Sequence, residues 1–266
     1  MANEALLKEI AYSCRVRIVK LGMRGCFIGS ALSCLDVIIY LYYSNRVSAD
    51  NEKGYFLLSK GHAVSAQYAV LESLGVIEGA RFNRYNSTED HLYLHPNAKI
   101  PGINIHSGSL GHGIAIAAGI ALDLKRIGDP RWVYVMVGDG ELNEGSNWEA
   151  MLMANAQNLS NLCVIVDRNH FQANFLTEEL IPLESLEAKF RSFGANVVTI
   201  DGHDFNAMDV AFERLHAEQD SLHVLLADTV RGKGIPSIEG NWEQWYMEYD
   251  KMRCEKLIRE LDENRR

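Results

Sequence analysis

The sequence predicts an α/β domain in which helices cover both faces of a parallel β-sheet. Two observations point to this fold class. From Gly108 onward, short runs rich in Val and Ile alternate with longer stretches of helical periodicity. Continuous apolar strands are typical of parallel sheets that are buried on both faces. The helix-length connections between these strands are the kind that parallel strands require.

The composition fits one large domain. The chain has 266 residues, of which 47% are hydrophobic, so it can bury a sizeable core. A formal net charge of −9 argues against a nucleic-acid binder, which needs clustered Lys and Arg. The five cysteines form no C-x-x-C pair, as expected for reduced thiols in a cytoplasmic protein. No apolar run is long enough to span a bilayer, and no signal peptide is apparent, so we expect no membrane partner.

The amino-terminal half is predicted to be mostly helical. Apolar residues at helical spacing indicate a first helix over about 3–21. A Gly-rich turn follows, and Ser33 is expected to cap a second helix. A short buried strand is predicted at Tyr55–Leu58 and a helix from about Val64 to Leu74. Residues 83–105, rich in His, Tyr, Asn and Pro, are predicted to be loop.

The remaining segments alternate regularly between strand and helix. In chain order they are helix Ile114–Arg126, strand RWVYVMVGDG, helix Glu144–Asn158, strand NLCVIVDRN, strand NVVTIDGHD, helix Phe205–Ala217 and strand HVLLADTV. No linker, repeat or charge block divides the chain. We therefore expect a single domain over 1–266, ending in a helical tail from about residue 242.

Polar side chains follow two successive strands of this predicted sheet. Asp139 lies just past one strand and Asn169 just past the next, so their tips are expected to meet where open parallel sheets bind ligands. Their oxygens, with a backbone carbonyl, suit Mg²⁺ or Ca²⁺ better than zinc. Gly138 and Gly140 would let a diphosphate approach closely, near a helix N-terminus at Glu144. The Gly-Asp-Gly triplet alone would equally fit an ordinary helix cap.

Longer motifs carry a family resemblance. The stretch from Val137 to Gln172 resembles the thiamine diphosphate signature. Three further segments resemble transketolases in the same order: Leu58–Leu71, His95–Leu122 and Asp228–Asn241. The resemblance extends from about Arg24 to Asn241, and it implies the thiamine diphosphate-binding fold of the family's diphosphate-binding (PP) domain.

The resemblance also implies a metal site and cofactor contacts. In the family, residues matching Asp139 and Asn169, with the backbone carbonyl that matches Phe171, hold a divalent ion bridging the diphosphate. Gly138 and Gly140 match positions that contact the diphosphate. The resemblance further matches the loop whose backbone holds the aminopyrimidine to Gly108, Ser109 and Leu110.

Three residues are implied to have catalytic roles. His62 matches a histidine near the diphosphate and the reacting centre, and His95 matches one that contacts the hydroxyl end of the donor. Glu144 matches a carboxylate in the acidic network that joins two cofactor sites, although alone it would fit a solvated first-turn Glu. His112 stands where the family often has Gln or His, and no role is assigned to it.

The resemblance covers only the first part of a full-length transketolase. The family's catalytic glutamate and the aromatic residues that pack on the pyrimidine lie in a second domain. We therefore expect a separately encoded partner subunit that supplies this domain, in a heterotetramer with two copies of each chain. Without the partner, the chain is expected to be inactive.

Two positions depart from the family pattern. Cys26 stands where a histidine usually contacts the ketose donor, and Tyr246 lies near the place of a second such histidine. These changes suggest altered donor chemistry, although a buried structural thiol is an equal interpretation of Cys26. Tyr93, Trp242 and Trp245 would join Tyr246 either in an acceptor pocket or, as we favour, in a subunit interface.

The leading interpretation is therefore a subunit of a thiamine diphosphate-dependent transketolase. With its partner, it would transfer a two-carbon ketol unit from a ketose-type donor, such as a sugar phosphate, to an aldehyde or aldose acceptor. Two alternatives stay open. One is a 2-oxo acid decarboxylase or acyloin-forming carboligase subunit of a specialised pathway. The other is a cofactor-binding regulatory subunit without turnover.

Overall fold

A central sheet of parallel strands organises the chain. The computed structural model describes residues 3–241 and 243–264. In chain order the strands are β1 (Gly54–Leu58), β2 (Trp132–Gly138), β3 (Leu162–Arg168), β4 (Phe171–Gln172), β5 (Phe175–Leu176), β6 (Asn196–Asp201) and β7 (His223–Asp228). The sheet has the order β1–β2–β3–β7–β6, and every neighbouring pair is parallel. β4 and β5 form a separate antiparallel hairpin.

Helices pack on both faces of this sheet. They are α1 (Glu4–Leu21), α2 (Ile28–Tyr43), α3 (Val64–Ser73), α4 (Gly113–Ile127), α5 (Gly145–Ala156), α6 (Thr177–Leu180), α7 (Leu186–Ser192), α8 (Phe205–Ala217) and α9 (Lys251–Asn264). Side chains alternate between the two faces along each strand. In β2, Tyr134 and Met136 join the core with α1, α2, α3, α8 and α9. Val133, Val135 and Val137 join the second core with α4, α5 and α7. The predicted fold class is therefore confirmed.

The helix α2 is buried along almost its whole length. Every residue from Ile28 to Tyr42 is buried, as expected for a helix that is apolar all round. Its first turns lie against the carboxyl ends of the strands, because the Ser33 hydroxyl donates to Asp167 Oδ2 at 2.6 Å. Ser33 therefore lies inside the helix, and the prediction that it caps the helix is wrong.

Most predicted elements agree with the structure to within a few residues. One difference lies at the carboxyl terminus, where the helix begins at Lys251, later than the expected 242. Another is the stretch from β4 to α7, for which the sequence analysis predicted no elements. Within residues 3–241 and 243–264, no helix combines the length and the apolar character that crossing a bilayer requires.

Candidate active site at the carboxyl ends of the strands

The tips of β2 and β3 open into one cavity. Asp139 directly follows β2, and Asn169 directly follows β3, in strands paired so that Gly138 lies opposite Asp167. Asp139 is 1% exposed and Asn169 is 6% exposed. Both line a cavity of about 220 Å³, which has room for roughly seven water molecules. The sequence prediction that these two side chains share a cleft therefore agrees with the geometry.

Asp139 is held by three donors. Its Oδ1 accepts from the Gly140 amide at 2.8 Å, and its Oδ2 accepts from the His170 amide at 2.7 Å. The same Oδ2 accepts from Arg168 Nη1 at 3.1 Å. Burial, and after it the nearby charge of Asp167, raises the pKa of Asp139 to about 6. The carboxylate is thus fixed in direction but lies in a strongly negative environment.

A buried ion pair fixes the Asn169 amide. Its Nδ2 donates to Asp167 Oδ2 at 2.9 Å and to Ser33 Oγ at 3.3 Å. Asp167 also pairs with Lys60, and both side chains are 1% exposed. Burial opposes the charge, yet Lys60 lowers the pKa of Asp167 below its usual value. Because Nδ2 is committed to Asp167, Oδ1 is left to accept from the Phe171 amide at 3.0 Å.

The turn after β3 packs closely on Gly140. His170 has φ of 68°, a left-handed conformation that turns the chain sharply into the β4–β5 hairpin. A Cβ on Gly140 would lie 2.8 Å from the Cβ of Gln172, so no larger residue fits there. Gly138 differs, since its Cβ would meet only Lys60 at an ordinary 3.8 Å. Gly140 is therefore required by packing, whereas Gly138 faces the cavity with free space.

Glu141 ties two loops together and was missed by the sequence analysis. It is 2% exposed and accepts from the Gly111 amide at 2.9 Å and from the Gly138 amide at 3.1 Å. The Ser59 hydroxyl also donates to it. Burial raises the pKa of Glu141 above its usual value. An acidic residue so soon after a strand-ending Asp139 was the available signal.

The predicted cofactor loop lies beside this carboxylate. Leu110 lines the cavity, whereas Gly108 and Ser109 are exposed. Glu144, the residue before α5, is also exposed, and its side chain does not cap the helix. The roles implied for these residues stay predictions.

Two histidines approach the cavity from its aromatic side. His62 lines the cavity, and its Nε2 lies 2.8 Å from the Ser30 hydroxyl. Burial, and next the positive charge of Lys60, lowers the pKa of His62 well below its usual value. Burial also lowers the pKa of His95. The ring centroid of Phe27 lies 5.5 Å from that of His62 and 6.2 Å from that of His95. Both imidazoles are therefore neutral near pH 7 and belong to one aromatic group.

The residues that depart from the family pattern have different surroundings. Cys26 is 1% exposed, its Sγ lies 3.1 Å from Ser65 Oγ, and burial raises the pKa of its thiol to about 11. It is thus a buried thiol. Cys26 pairs through its backbone with Met247, which brings residues 243–250, here called the roof segment, over the cavity.

The roof segment carries two of the aromatic residues noted in the sequence. Trp245 lines the cavity with its ring 4.8 Å from that of His62. Tyr246 is 42% exposed, and its ring lies 5.1 Å from that of Phe27. Tyr93 instead contacts His91, with 6.0 Å between ring centroids. Trp242 lies outside the described residues.

The donor set fits a hard divalent cation. Asp139 offers a carboxylate, Asn169 an amide oxygen, and Phe171 lies on the same cavity wall. In residues 3–241 and 243–264, no group of three or more His, Cys, Asp or Glu side chains is placed to hold a metal. A mixed site of carboxylate, amide and carbonyl oxygens is therefore the arrangement that these residues can offer.

Comparison with known proteins agrees with this geometry. Residues 23–246 match the family model described as "Transketolase, thiamine diphosphate binding domain". One of the two subunits of an apulose-4-phosphate transketolase, from Phocaeicola vulgatus, is 34% identical over 266 residues, covering 98% of this chain and 92% of the relative. The SqwG subunit of a 6-deoxy-6-sulfo-D-fructose transketolase, from a Clostridium species, is 32% identical, covering 88% of each chain.

Solved structures show the same fold. A transketolase from Campylobacter jejuni superposes with a TM-score of 0.88 at 23% identity, covering 99% of this chain and 43% of that one. A transketolase from Leishmania mexicana superposes with a TM-score of 0.85 at 22% identity, covering 96% and 41%. The chain therefore spans less than half the length of these enzymes, but nearly the whole length of the relatives that are themselves single subunits.

Proposed function

The chain belongs to the transketolase family through its thiamine diphosphate-binding domain, and on this premise we propose that it is the cofactor-binding subunit of a two-component transketolase. The observation that carries the proposal is the shared cavity of Asp139 and Asn169, at the tips of neighbouring strands. Relatives named as single transketolase subunits, matched along nearly their whole length, support a separate partner. The whole of 1–266 would then act as one cofactor-binding unit.

The cavity residues divide into metal ligands and cofactor contacts. Asp139, Asn169 and the Phe171 carbonyl would hold Mg²⁺ or Ca²⁺. Bound thiamine diphosphate would supply the carbanion chemistry that protein side chains lack. The remaining contacts would come from Gly138, Gly140 and the backbone of Gly108, Ser109 and Leu110.

The chain's own residues would orient the substrate and exclude water. His62 is neutral near pH 7 and hydrogen-bonds Ser30, so its imidazole can exchange a proton with a bound hydroxyl group. His95 would meet the hydroxyl end of the donor. Glu144 is exposed at the start of α5, where a carboxylate is accessible to another chain. The aromatic group around Phe27 would keep water from the reacting atoms.

The reaction proposed is the transfer of a two-carbon ketol unit from a ketose-type donor to an aldehyde or aldose acceptor. The partner would supply the pyrimidine-binding domain and its catalytic glutamate, in a heterotetramer with two copies of each chain. Because Cys26 is buried away from the cavity lining, it offers no replacement for a donor-contacting histidine. We therefore expect a donor other than an ordinary pentose phosphate.

Co-expression with the partner tests this proposal. The purified complex is expected to transfer a ketol unit from a ketose phosphate, and the chain alone is expected to be inactive. Full turnover by the chain alone would refute the need for a partner. Release of carbon dioxide from pyruvate would instead favour a 2-oxo acid decarboxylase. Cofactor binding without turnover beside the partner would favour a regulatory subunit.

A further inference from the structure

Arg231 is a buried cation on the wall of the same cavity. It is 2% exposed and follows β7, next to Gly232, whose amide donates to the Gly29 carbonyl at 2.9 Å. Its guanidinium carbon lies 5.0 Å from the ring centroid of Phe171 and 5.3 Å from that of Trp245. The two aromatic contacts restrict the orientation of the guanidinium plane.

Most of its hydrogen-bonding capacity is unused. Nη1 donates to the Ala173 carbonyl at 2.5 Å. In the described part of the chain, Nε and Nη2 have no hydrogen-bond partner, although both atoms are buried. A buried donor without a partner is costly, and it is more costly still on a charged group. These donors on a cavity wall therefore need a ligand to explain them.

The other cations at this end of the sheet are already neutralised. Lys60 pairs with Asp167, and Arg168 pairs with Asp139. Among residues 3–241 and 243–264, no carboxylate forms an ion pair with Arg231. Burial lowers the pKa of Arg231 only to about 10, so the group keeps its positive charge at neutral pH.

We propose that the Nε–Nη2 edge of Arg231 binds a phosphate-type oxyanion inside this cavity. Two adjacent N–H donors in a fixed plane match two oxygens of such a group. The inference rests on the proposed function, which gives two sources for the anion. One is the diphosphate of the cofactor, and the other is the phosphate of a sugar phosphate substrate.

Binding measurements with three probes test the inference. The full chain, alone and with its partner, is titrated by calorimetry with thiamine diphosphate, inorganic pyrophosphate and unphosphorylated thiamine, in the presence of Mg²⁺. Arg231→Gln is expected to weaken the binding of the first two about 10- to 100-fold and to leave thiamine unchanged. The matched control is Arg253→Gln, because Arg253 lies over the Tyr249 ring in α9, away from the cavity lining.

Different outcomes separate the two sources. If Arg231→Gln leaves cofactor and pyrophosphate binding unchanged, but in the complex raises KM for a phosphorylated donor and not for its dephosphorylated analogue, the anion is the substrate's. If neither changes, the inference is overturned. Failure of the wild-type complex to bind thiamine diphosphate would refute the proposed function. Loss of pyrophosphate binding in the variant would still support the anion site in that case.

A second variant covers a failure of Arg231→Gln to fold. Arg231→Lys keeps the charge but loses the two-donor edge, so it is expected to weaken diphosphate binding about 5- to 20-fold. Wild-type affinity in Arg231→Lys would overturn the role of the paired donors. Circular dichroism of each variant confirms that the chain is folded before binding is compared.

Discussion

The two ends of the central sheet bury polar side chains in opposite ways. At the amino end, His223 begins β7 and stacks on Trp132 with 5.1 Å between ring centroids, and burial lowers the pKa of His223 to about 4. Its ring is therefore neutral. At the carboxyl end, Lys60 and Asp167 stay charged and pair with each other. An imidazole can be buried by losing its proton, whereas charges are kept where they position neighbouring side chains such as Asn169.

Breaking the buried ion pair is expected to have the largest effect. Lys60→Met leaves the Asp167 carboxylate buried without its cation, so the free energy of unfolding should fall by about 3–5 kcal/mol. Urea denaturation measures the change. The control is Lys8→Ala, which removes an exposed ion pair with Glu4 and should change stability by less than about 1 kcal/mol. Equal effects of the two variants would erase the contrast between the ends of the sheet.

Removing the strand-tip carboxylate should abolish cofactor binding rather than folding. In Asp139→Ala, Mg²⁺-dependent affinity for thiamine diphosphate is expected to fall about 100-fold or more, because even residues that only support metal ligands change metal affinity 10- to 100-fold. Calorimetry measures it. Asp228→Asn is the control, since Asp228 ends β7 with its side chain 63% exposed. Unchanged binding in Asp139→Ala would contradict the site assignment.

The close packing at Gly140 makes a third test. Gly140→Ala places a methyl group 2.8 Å from Gln172 Cβ, and the hairpin must move to accommodate it. We expect a loss of about 1–3 kcal/mol of stability and weaker cofactor binding. Gly145→Ala has open space around the added Cβ and should be neutral or slightly stabilising. Thermal unfolding compares them, and a tolerated Gly140→Ala would show that the turn is not tightly fixed.

The smallest expected effect is the acid sensitivity of the amino end. The pKa of His223 is about 4 in the folded chain, against an ordinary value of 6.5. Stability is therefore complete above 6.5 and decreases as the pH falls towards 4, by on the order of 1–2 kcal/mol. Burial gives His216, which also stacks on Trp132, the same direction. His223→Gln should flatten this slope in urea unfolding measured across the pH window, and an unchanged slope would contradict the assignment.

The sequence predicted the sheet, its helices and the meeting of two strand tips. Those features follow from periodicity and from parallel topology, which bring Asp139 and Asn169 to one edge. It did not predict the network beneath them. Lys60, Glu141 and Asp167 are charged residues next to strand ends, a position that usually indicates solvent, and only tertiary contacts bury them.

The region between β3 and α7 escaped prediction for a different reason. The β4–β5 hairpin has two-residue strands, too short for a recognisable period, and its turn depends on the left-handed backbone of His170 and Ala173. Ser33 was misplaced because its hydroxyl, a common capping group, is instead used inside α2 to bond Asp167. In both cases long-range packing outweighs the local preference.

The pairing of Cys26 with Met247 has an evolutionary consequence. Two backbone hydrogen bonds, of 3.0 and 3.1 Å, attach the roof segment to the turn before α2. The strand tips that would grip the cofactor lie on other elements. Backbone attachment constrains side chains little, so Trp245 and Tyr246 are free to mutate while Asp139 and Asn169 stay constant. A duplicated gene can thus acquire a new sugar preference by drift in this short stretch, with its ancestral chemistry intact.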